Sequence, residues 1–254
     1  MPAIFTNSLG MKFTIIQPGQ VESKCNRSEI INHKKCSKKL IKIKKSYYMG
    51  VFEVTQRQWK QLMRNNPSRF KGCLNCPVES ISKQEAERFI QKLNNFDKNG
   101  KVTYRLPTAD EWEYAARGGS KSKYFWGDDK SLMYKYANIC DKNCIKANRM
   151  FNLKQDDGYK YTSPVGTYLP NNFGLYDVIG NTQEWVSDYE FCWGGSCLDK
   201  KTKKYYCSSF VGGDWGDSIE TVDFPSLYYG SKITCIGTQM SGFRILADIK
   251  TSKN

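Results

Sequence analysis

Three helix-start signals, placed close together, constrain the fold of this chain more than any other feature of its sequence. In Thr55–Gln58, Ser82–Glu85 and Thr108–Glu111 a Ser or Thr is followed three residues later by Glu or Gln. In this capping-box pattern the two side chains satisfy free backbone N–H groups at the start of a helix. Apolar residues at helical spacing follow the first two signals, and Gly118–Gly119 is the expected stop of the third. The pattern predicts three helices.

The rest of the chain is short and irregular in its patterning. Turn signals such as "PNNFG" separate the strand-like pieces "KFTIIQ", "SYYMGVFEV", "FVGGDW" and "GFRILADI". No repeat or low-complexity linker divides the 254 residues into two halves. We therefore predict one α+β domain spanning residues 1–254, in which long loops carry much of the chain and are pinned by metals, disulfides or side-chain packing.

The net charge is strongly positive but unevenly distributed. It amounts to +14, and much of it comes from Lys-rich stretches such as Asn32–Ser46. These lysines are not accompanied by a nucleic-acid motif or by a Gly-aromatic stacking pattern, so a solvated face is favoured over binding to an anionic surface. We expect no nucleic-acid partner. No stretch approaches the roughly 20 apolar residues that span a bilayer, so we expect no transmembrane segment in this chain.

Ten cysteines, several of them close neighbours, bear on the redox environment. Cys73–Cys76, Cys140–Cys144 and Cys192–Cys197 are spaced as local disulfides of an exported protein. The first pair is alternatively a redox or zinc half-site, a weaker interpretation because His33 is the sole histidine and no second CxxC exists. The first residues lack the long apolar region of a secretory signal. Either export information is missing from this sequence or the protein stays reduced in the cell, and the cysteine count favours export.

At this point the motifs add up to a family resemblance that covers nearly the whole chain. In order along the sequence they are "NSLGMKFTIIQPG", "YYMGVFEVTQRQW", "NPSRF", "YRLPTADEWEYAARGG", "FWGDD", "GLYDVIGNTQEW", "VGGDW" and "SGFRI". They resemble those of formylglycine-generating-enzyme (sulfatase-modifying factor) domains. The resemblance implies a C-type-lectin-like fold of the elaborated kind found in that family, with little regular secondary structure.

The resemblance also identifies the positions at which catalysis would take place. By this resemblance, oxidase members place a reactive cysteine pair just after the glycines that here are Gly212–Gly213, one at the position of Asp217 and one near Val222. A carboxylate and an isopropyl group cannot replace the thiolates that bind copper and carry out the oxidation. Related iron enzymes need several histidines, and this chain has only His33. We therefore expect no catalytic residue, no redox cofactor and no enzymatic activity.

Two other hypotheses remain open. The first is a formylglycine-generating-type oxidase with rearranged cysteines, for instance Cys207 with Cys235, which are otherwise a structural pair or buried thiols. The second is a structural or accessory domain of a secretion or maturation system.

Two calcium sites are implied by the resemblance, each made of side-chain and main-chain oxygens. The first set consists of the side chains of Asn138 and Asp157 with the carbonyls of Ile139 and Tyr159. The second set consists of the side chains of Asp177 and Glu184 with the carbonyls of Gly180 and Thr182. Such ligands suit a structural calcium ion, which accepts six to eight oxygens. The alternative is that these residues only cap turns and bind backbone N–H groups.

One late segment differs from the rest of the chain. From Tyr205 to Ser231 it holds no Lys or Arg, whereas the whole chain has 39. One branch of the family, the variable proteins of diversity-generating retroelements, rewrites the stretch between "GG.W" and "GFR" by adenine-directed mutagenesis. Residues 221–231 contain only residue types that mutated AAY codons can encode. Glu220, Lys232 and the pair Gln239–Met240 would have to be fixed positions.

The leading hypothesis is therefore a non-enzymatic, exported receptor or adhesin-like protein with a variable ligand-binding segment at about 214–240. We expect it to act as a monomer at the cell surface and to bind a protein or a glycan, between which the sequence supplies no rule. Large aromatic rings and small flexible residues in this segment are typical of adaptable contact surfaces, although Trp215 is expected in the core. The expected ligand contacts are Asp214, Gly216, Asp217, Ser218, Asp223, Phe224, Ser226, Leu227, Tyr228, Tyr229 and Gly230.

Overall fold

The computed structural model describes residues 4–23, 39–98, 101–144, 155–191, 197–198, 205–217 and 239–250. This part of the chain combines helices and strands with long connecting loops. The α-helices are α1 (Gln56–Met63), α2 (Lys83–Phe96) and α3 (Ala109–Arg117). None of the described helices is long and apolar enough to cross a membrane.

All three predicted helix starts are confirmed as complete capping boxes. At α1 the Thr55 hydroxyl accepts a hydrogen bond from the N–H of Gln58, and the N–H of Thr55 donates to Oε1 of Gln58 at 2.9 Å. The same reciprocal pattern begins α2 and α3. Helix α3 ends at Gly118, which adopts a left-handed conformation at φ 57°. The helices therefore follow from local side-chain chemistry.

A five-stranded sheet joins early and late parts of the chain. Its strands are β1 (Ile4–Thr6), β2 (Lys12–Ile16), β5 (Tyr47–Gly50), β6 (Val102–Arg105) and β11 (Leu246–Ile249). The order is β1-β2-β5-β11-β6, and every neighbouring pair is antiparallel. Side chains alternate across this sheet, so that Leu246 enters one hydrophobic core and the adjacent Ala247 enters another.

Two smaller sheets complete the described strands. A two-stranded antiparallel sheet pairs β3 (Gly19–Ser23) with β4 (Lys39–Ile43). A four-stranded sheet contains β7 (Gln183–Phe191), β8 (Cys197–Leu198), β9 (Tyr205–Val211) and β10 (Ser241–Gly242). Its order is β10-β7-β9-β8, with β10 parallel to β7. Strands β9 and β10 therefore bring the two flanks of the predicted variable segment, about 214–240, to opposite sides of β7.

Helices α1 and α2 pack together through stacked aromatic rings. The ring centroids of Trp59 and Phe89 lie 5.4 Å apart, and both rings meet Phe243 edge-on. These three side chains are buried in the core on the Ala247 side of the five-stranded sheet. This core holds the "SGFR" motif in place, because Phe243 belongs to it.

Loops fill most of the described chain between α3 and β7, where only a short 3-10 helix, Lys130–Lys135, is found. Polar side chains hold these loops to the regular elements. The amide nitrogen of Asn171 donates to the carbonyls of Ala115 and Ala116 at 2.8 and 2.9 Å, at the end of α3. Its amide oxygen accepts from the N–H groups of Phe173 and Leu175. The predicted fold with long, pinned loops is thus confirmed.

Candidate functional site

The candidate site lies where three loops meet around Trp215. The rings of Phe70 and Tyr161 stack at a centroid distance of 4.2 Å, and Trp215 meets both edge-on at 5.5 and 5.2 Å. The disulfide Cys140–Cys144 and the side chain of Met240 pack against this group. Trp215 is only 5% exposed, so its expected place in the core is confirmed. Phe70, Tyr161 and Met240 remain half-buried.

A tight turn, Asp214–Asp217, begins the predicted variable segment. The carboxylate of Asp214 accepts from the N–H of Gly216 at 2.7 Å, and the N–H of Asp214 donates to Oδ2 of Asp217 at 2.9 Å. Asp214 and Gly216 are buried, whereas Asp217 is half-exposed. Asp214 and Gly216 thus hold the turn, and Asp217 is the most exposed of the three. Ligand contact by these three residues stays a prediction.

The other predicted ligand contacts lie outside the described residues and stay predictions. They are Ser218, Asp223, Phe224, Ser226, Leu227, Tyr228, Tyr229 and Gly230. Val222, Cys192 and Cys235 also lie outside the described residues.

The first predicted calcium set comes together in the structure. Oδ2 of Asp157 accepts from the N–H of Ile139, and Oδ1 accepts from the N–H of Tyr159, both at 2.9 Å. Asn138 lies beside them and is 1% exposed. Its amide nitrogen donates to the carbonyl of Tyr161 at 2.8 Å, whereas its buried amide oxygen has no hydrogen-bond partner. An unpartnered buried oxygen of this kind is what a calcium ion would satisfy.

The electrostatics of this loop also fit a cation. Burial raises the pKa of Asp157 to about 7, and the neighbouring carboxylate of Asp141 raises it as well, against hydrogen bonds from Tyr159 and Ile139. Asp141 was not predicted from the sequence. Its Oδ2 accepts from the N–H of Asp157, and it is itself buried. A bound divalent cation would favour the ionised form of both carboxylates.

The second predicted calcium set is engaged differently. Both carboxylate oxygens of Glu184 accept from the guanidinium of Arg244, at 2.6 to 2.9 Å, and Oε2 also accepts from Nε1 of Trp112 at 2.6 Å. The hydroxyl of Thr182 donates to Glu53 at 2.8 Å. Because the carboxylate of Glu184 is already paired with Arg244 and hydrogen-bonded to Trp112, this set fits a calcium ion less well than the first. Its role as a metal site stays a prediction.

Asp177 and Gly180 complete the second set. Oδ2 of Asp177 accepts from the N–H of Gly166 at 2.6 Å, and its buried Oδ1 has no partner. Burial raises the pKa of Asp177 to about 6, against the lowering effect of the Gly166 N–H and of Arg244. Gly180 adopts φ 76°, and its Cα faces the carbonyl of Asn138 too closely for any side chain. This contact joins the two predicted calcium loops.

Sequence reasoning missed the partners of these carboxylates. Arg244 lies in the "SGFR" motif and Trp112 in "ADEWEYAAR", but nothing in their spacing shows that both reach Glu184. Glu53 stands alone in the apolar run "MGVFEV", which is the signal that marks a buried and partnered carboxylate. Burial raises its pKa well above the usual range, as do Asp177 and Glu184.

The described cysteines at the site are not thiols. Cys73–Cys76 and Cys140–Cys144 are disulfides, which confirms the prediction from their spacing. Asp217, which stands at one oxidase cysteine position, accepts a hydrogen bond through its carbonyl from the N–H of Cys140 at 2.8 Å. Among the described residues, no group of three or more His, Cys, Asp or Glu side chains is arranged to hold a metal. A calcium ion at Asn138 and Asp157 would thus also depend on amide and carbonyl oxygens.

Comparison with known proteins adds a family and a fold. The family model of the sulfatase-modifying factor enzyme 1-like domain matches residues 6–249. The chaperone protein LppX of Paenibacillus barcinonensis is 29% identical over 219 residues, which are 70% of this chain and 72% of that protein. The formylglycine-generating enzyme of Mus musculus is 40% identical over 87 residues, which are 34% of this chain and 22% of that enzyme.

A solved structure is similar over nearly the whole chain. Treponema denticola variable protein 1 superimposes with a TM-score of 0.69 at 22% identity, covering 97% of this chain and 99% of that chain. At this level of identity the likeness shows the fold alone. It agrees with the expected α+β, C-type-lectin-like architecture.

Proposed function

This chain belongs to the sulfatase-modifying factor enzyme 1-like domain family, and within that family we propose that it is a non-enzymatic ligand-binding protein. In this proposal residues of about 214–240 form a diversified binding segment on a C-type-lectin-like scaffold. In this proposal the fold supports the segment and the segment recognises the ligand, since function resides in a site and not in a fold.

The observation that carries the proposal is the anchoring of both ends of the segment. At its start, the carbonyl of Asp217 accepts from the N–H of Cys140 at 2.8 Å, and the turn beginning at Asp214 is closed by its own side chains. At its end, the carbonyl of Met240 accepts from the N–H of Gln183 at 2.9 Å, at the start of β7. Loops on a rigid support tolerate sequence change and carry recognition.

The residues at the oxidase positions support a function without catalysis. Asp217 and Val222 are not thiols, and the nearby Cys140–Cys144 pair is already a disulfide. A disulfide lacks the thiolate that copper binding and peptide oxidation require. The same disulfides favour an oxidising compartment and hence export. We propose display at the cell surface as a monomer that binds a protein or a glycan.

Calcium is proposed as a structural ion of this scaffold. Asn138 and Asp157 would hold it through their side chains, and Ile139 and Tyr159 would add main-chain carbonyls. The ion would neutralise buried carboxylate charge, which is costly to leave without a partner.

A second candidate function is oxidation of a peptide cysteine by rearranged cysteines. The observation in its favour is the 40% identity to the mouse formylglycine-generating enzyme over 87 residues. Cys207, the first candidate thiol, belongs to β9, and Cys235 lies outside the described residues.

One experiment separates the two functions. Purified protein is incubated with copper and a peptide containing the motif CxPxR, and conversion of the peptide cysteine is followed by mass spectrometry. We expect no copper-dependent conversion. Conversion that is lost in Cys207→Ser would establish the oxidase and overturn the proposed function.

In parallel, gene copies from related genomes are expected to vary between Asp214 and Met240 with nearly constant flanks, beside a reverse transcriptase and a template repeat.

A further inference from the structure

A group of buried oxygens lies directly behind the entry to the variable segment. Asn138, Asp141 and Asp157 are only 1%, 3% and 7% exposed, respectively. Asp141 and Asp157 are in contact, because Oδ2 of Asp141 accepts from the N–H of Asp157. Asn138 adjoins them through Ile139, whose N–H donates to Oδ2 of Asp157 at 2.9 Å. Two carboxylates in contact are thus buried here, and Asn138 is the residue just before the N–H that binds one of them.

Neither carboxylate of this group is in an ion pair within the described part of the chain. The adjacent Lys142 pairs with the exposed Asp156 at 2.6 Å and acts on Asp141 only through its charge. Oδ1 of Asp141 accepts from a backbone N–H at 2.7 Å. The amide oxygen of Asn138 has no hydrogen-bond partner. Two buried carboxylates in contact and an unpartnered oxygen are acceptors that a divalent cation would satisfy.

Three consecutive residues connect the group to the variable segment. The N–H of Ile139 donates to Asp157, whereas the N–H of the next residue, Cys140, donates to the carbonyl of Asp217 at 2.8 Å. Asp141 then bonds back to Asp157 through its side chain. The stretch Ile139–Asp141 is therefore held between the Asp157 carboxylate and Asp217, at the start of the segment.

We propose that Asp141 is a further calcium ligand beside Asn138 and Asp157, and that the bound ion orders the entry of the binding segment at Asp217. Asp141 is outside the ligand set that the family resemblance implies. Calcium removes the repulsion between the two carboxylates and holds Ile139–Asp141 in place. The hydrogen bond from Cys140 to Asp217 then opens less often, because the ion stabilises the state in which it is formed.

The proposal rests on the proposed function only for the meaning of the segment. Its test needs no ligand. Hydrogen exchange of the full chain is measured by mass spectrometry in calcium, in magnesium and in chelator, together with the melting temperature. At a calcium concentration of about 100 times its dissociation constant, exchange through openings that release the ion is expected to slow about 100-fold. We expect this slowing in peptides covering residues 138–141 and in those covering 210–217. Magnesium, which demands a smaller octahedral site, is expected to have little effect.

Two matched variants test the role of Asp141. Asp141→Asn keeps the size of the side chain and removes its charge, and it is expected to weaken calcium binding at least tenfold and to reduce the protection of residues 210–217 accordingly. Asp156→Asn changes a carboxylate of the same loop that is exposed and paired with Lys142. This control is expected to bind calcium as the unchanged protein does.

Each result decides one part of the proposal. Calcium binding that is equally tight in Asp141→Asn would remove Asp141 from the site. Protection of residues 138–141 without protection of 210–217 would overturn the coupling. Identical exchange and melting in calcium and chelator would overturn the whole inference, and a buried water at Asn138 would then be the simpler account. None of these results touches the proposed binding function, which the oxidation and sequence-variation tests address separately.

Discussion

Arg244 and Glu184 form a fully buried, two-pronged ion pair. Nη2 of Arg244 lies 2.6 Å from Oε1 of Glu184, and both side chains are 1% exposed. Arg244 also donates to the carbonyls of Tyr176 and Asp177 at 3.0 and 3.2 Å. The pair therefore joins strand β7 to the loop before it and to the "SGFR" motif that follows the variable segment.

Glu184→Gln is expected to destabilise the protein strongly. Removing the Glu184 charge leaves the buried Arg244 without its ion-pair partner, which costs about 3–5 kcal/mol. The free energy of unfolding is measured by urea denaturation. Lys142→Met, which removes one partner of the exposed pair with Asp156, is the control and is expected to leave stability unchanged. Equal effects of the two substitutions would contradict the structural role of the buried pair.

Stability is expected to fall as pH rises between about 4 and 6, measured in chelator. Asp177 has a pKa of about 6 in the folded protein, above its ordinary 3.8, because of its burial. The folded state thus binds this proton more tightly than the unfolded state does. The resulting stabilisation, on the order of 2–3 kcal/mol, is fully present below the ordinary pKa of 3.8 and is lost as the pH rises through the folded-state pKa of about 6. Glu53, with its raised pKa, acts in the same direction.

Asp177→Asn tests the assignment of this pH dependence. Asn tolerates the left-handed backbone at this position, where φ is 54°. The variant is expected to show a clearly shallower decline of unfolding free energy between pH 4 and 6. A slope identical to that of the unchanged protein would assign the effect to other groups.

Lys83→Met is expected to destabilise the protein by about 2–4 kcal/mol. Lys83 is fully buried, and its Nζ donates to the carbonyls of Ser187 and Asp188 at 2.8 and 3.1 Å, where the pairing register of β7 shifts. A methionine fills the space but leaves these carbonyls without the donor. Lys92→Met, on the exposed side of the same helix, is the control, expected within about 0.5 kcal/mol. Equal unfolding free energies of the two variants in chemical denaturation would show that the hydrogen bonds from Lys83 to β7 do not stabilise the fold.

Gly180→Ala is expected to be far more damaging than Gly10→Ala. The two glycines have nearly the same φ, 76° and 75°, so the backbone strain of about 1–2 kcal/mol is matched. A Cβ at Gly180 would collide with the carbonyl of Asn138, whereas at Gly10 it would meet nothing within 4 Å. Thermal melting is expected to show the difference. Similar melting temperatures would mean that the two loops do not need their close contact.

The parts of the fold that depend on neighbouring residues could be predicted from the sequence. The capping boxes at Thr55, Ser82 and Thr108 each involve residues only three positions apart. The disulfides Cys73–Cys76 and Cys140–Cys144 could be predicted for the same reason, because the two cysteines of each pair are close in the chain. Such signals do not depend on how distant parts of the chain pair.

Long-range partners could not be predicted in the same way. Strand β11 lies between β5 and β6, and no local pattern specifies this order. Glu184 was expected to bind calcium because its motif matched, but its partner Arg244 is 60 residues away. The side chain of Asp214, a predicted ligand contact, accepts from the N–H of Gly216, and this turn was not predicted either. The calcium role of Glu184 and the ligand contact of Asp214 stay predictions.

The most direct test of the account replaces the variable segment. In a set of variants residues 221–231 are exchanged for other sequences drawn from the same residue types, while both ends of the segment, Asp214–Asp217 and Met240, and the chain beyond them are kept. If the segment is supported by the scaffold and is not part of its core, stability changes by less than about 1 kcal/mol, and melting temperatures stay within about 2–4 °C. Loss of the folded state in most variants would contradict the account, because the segment would then be part of the core.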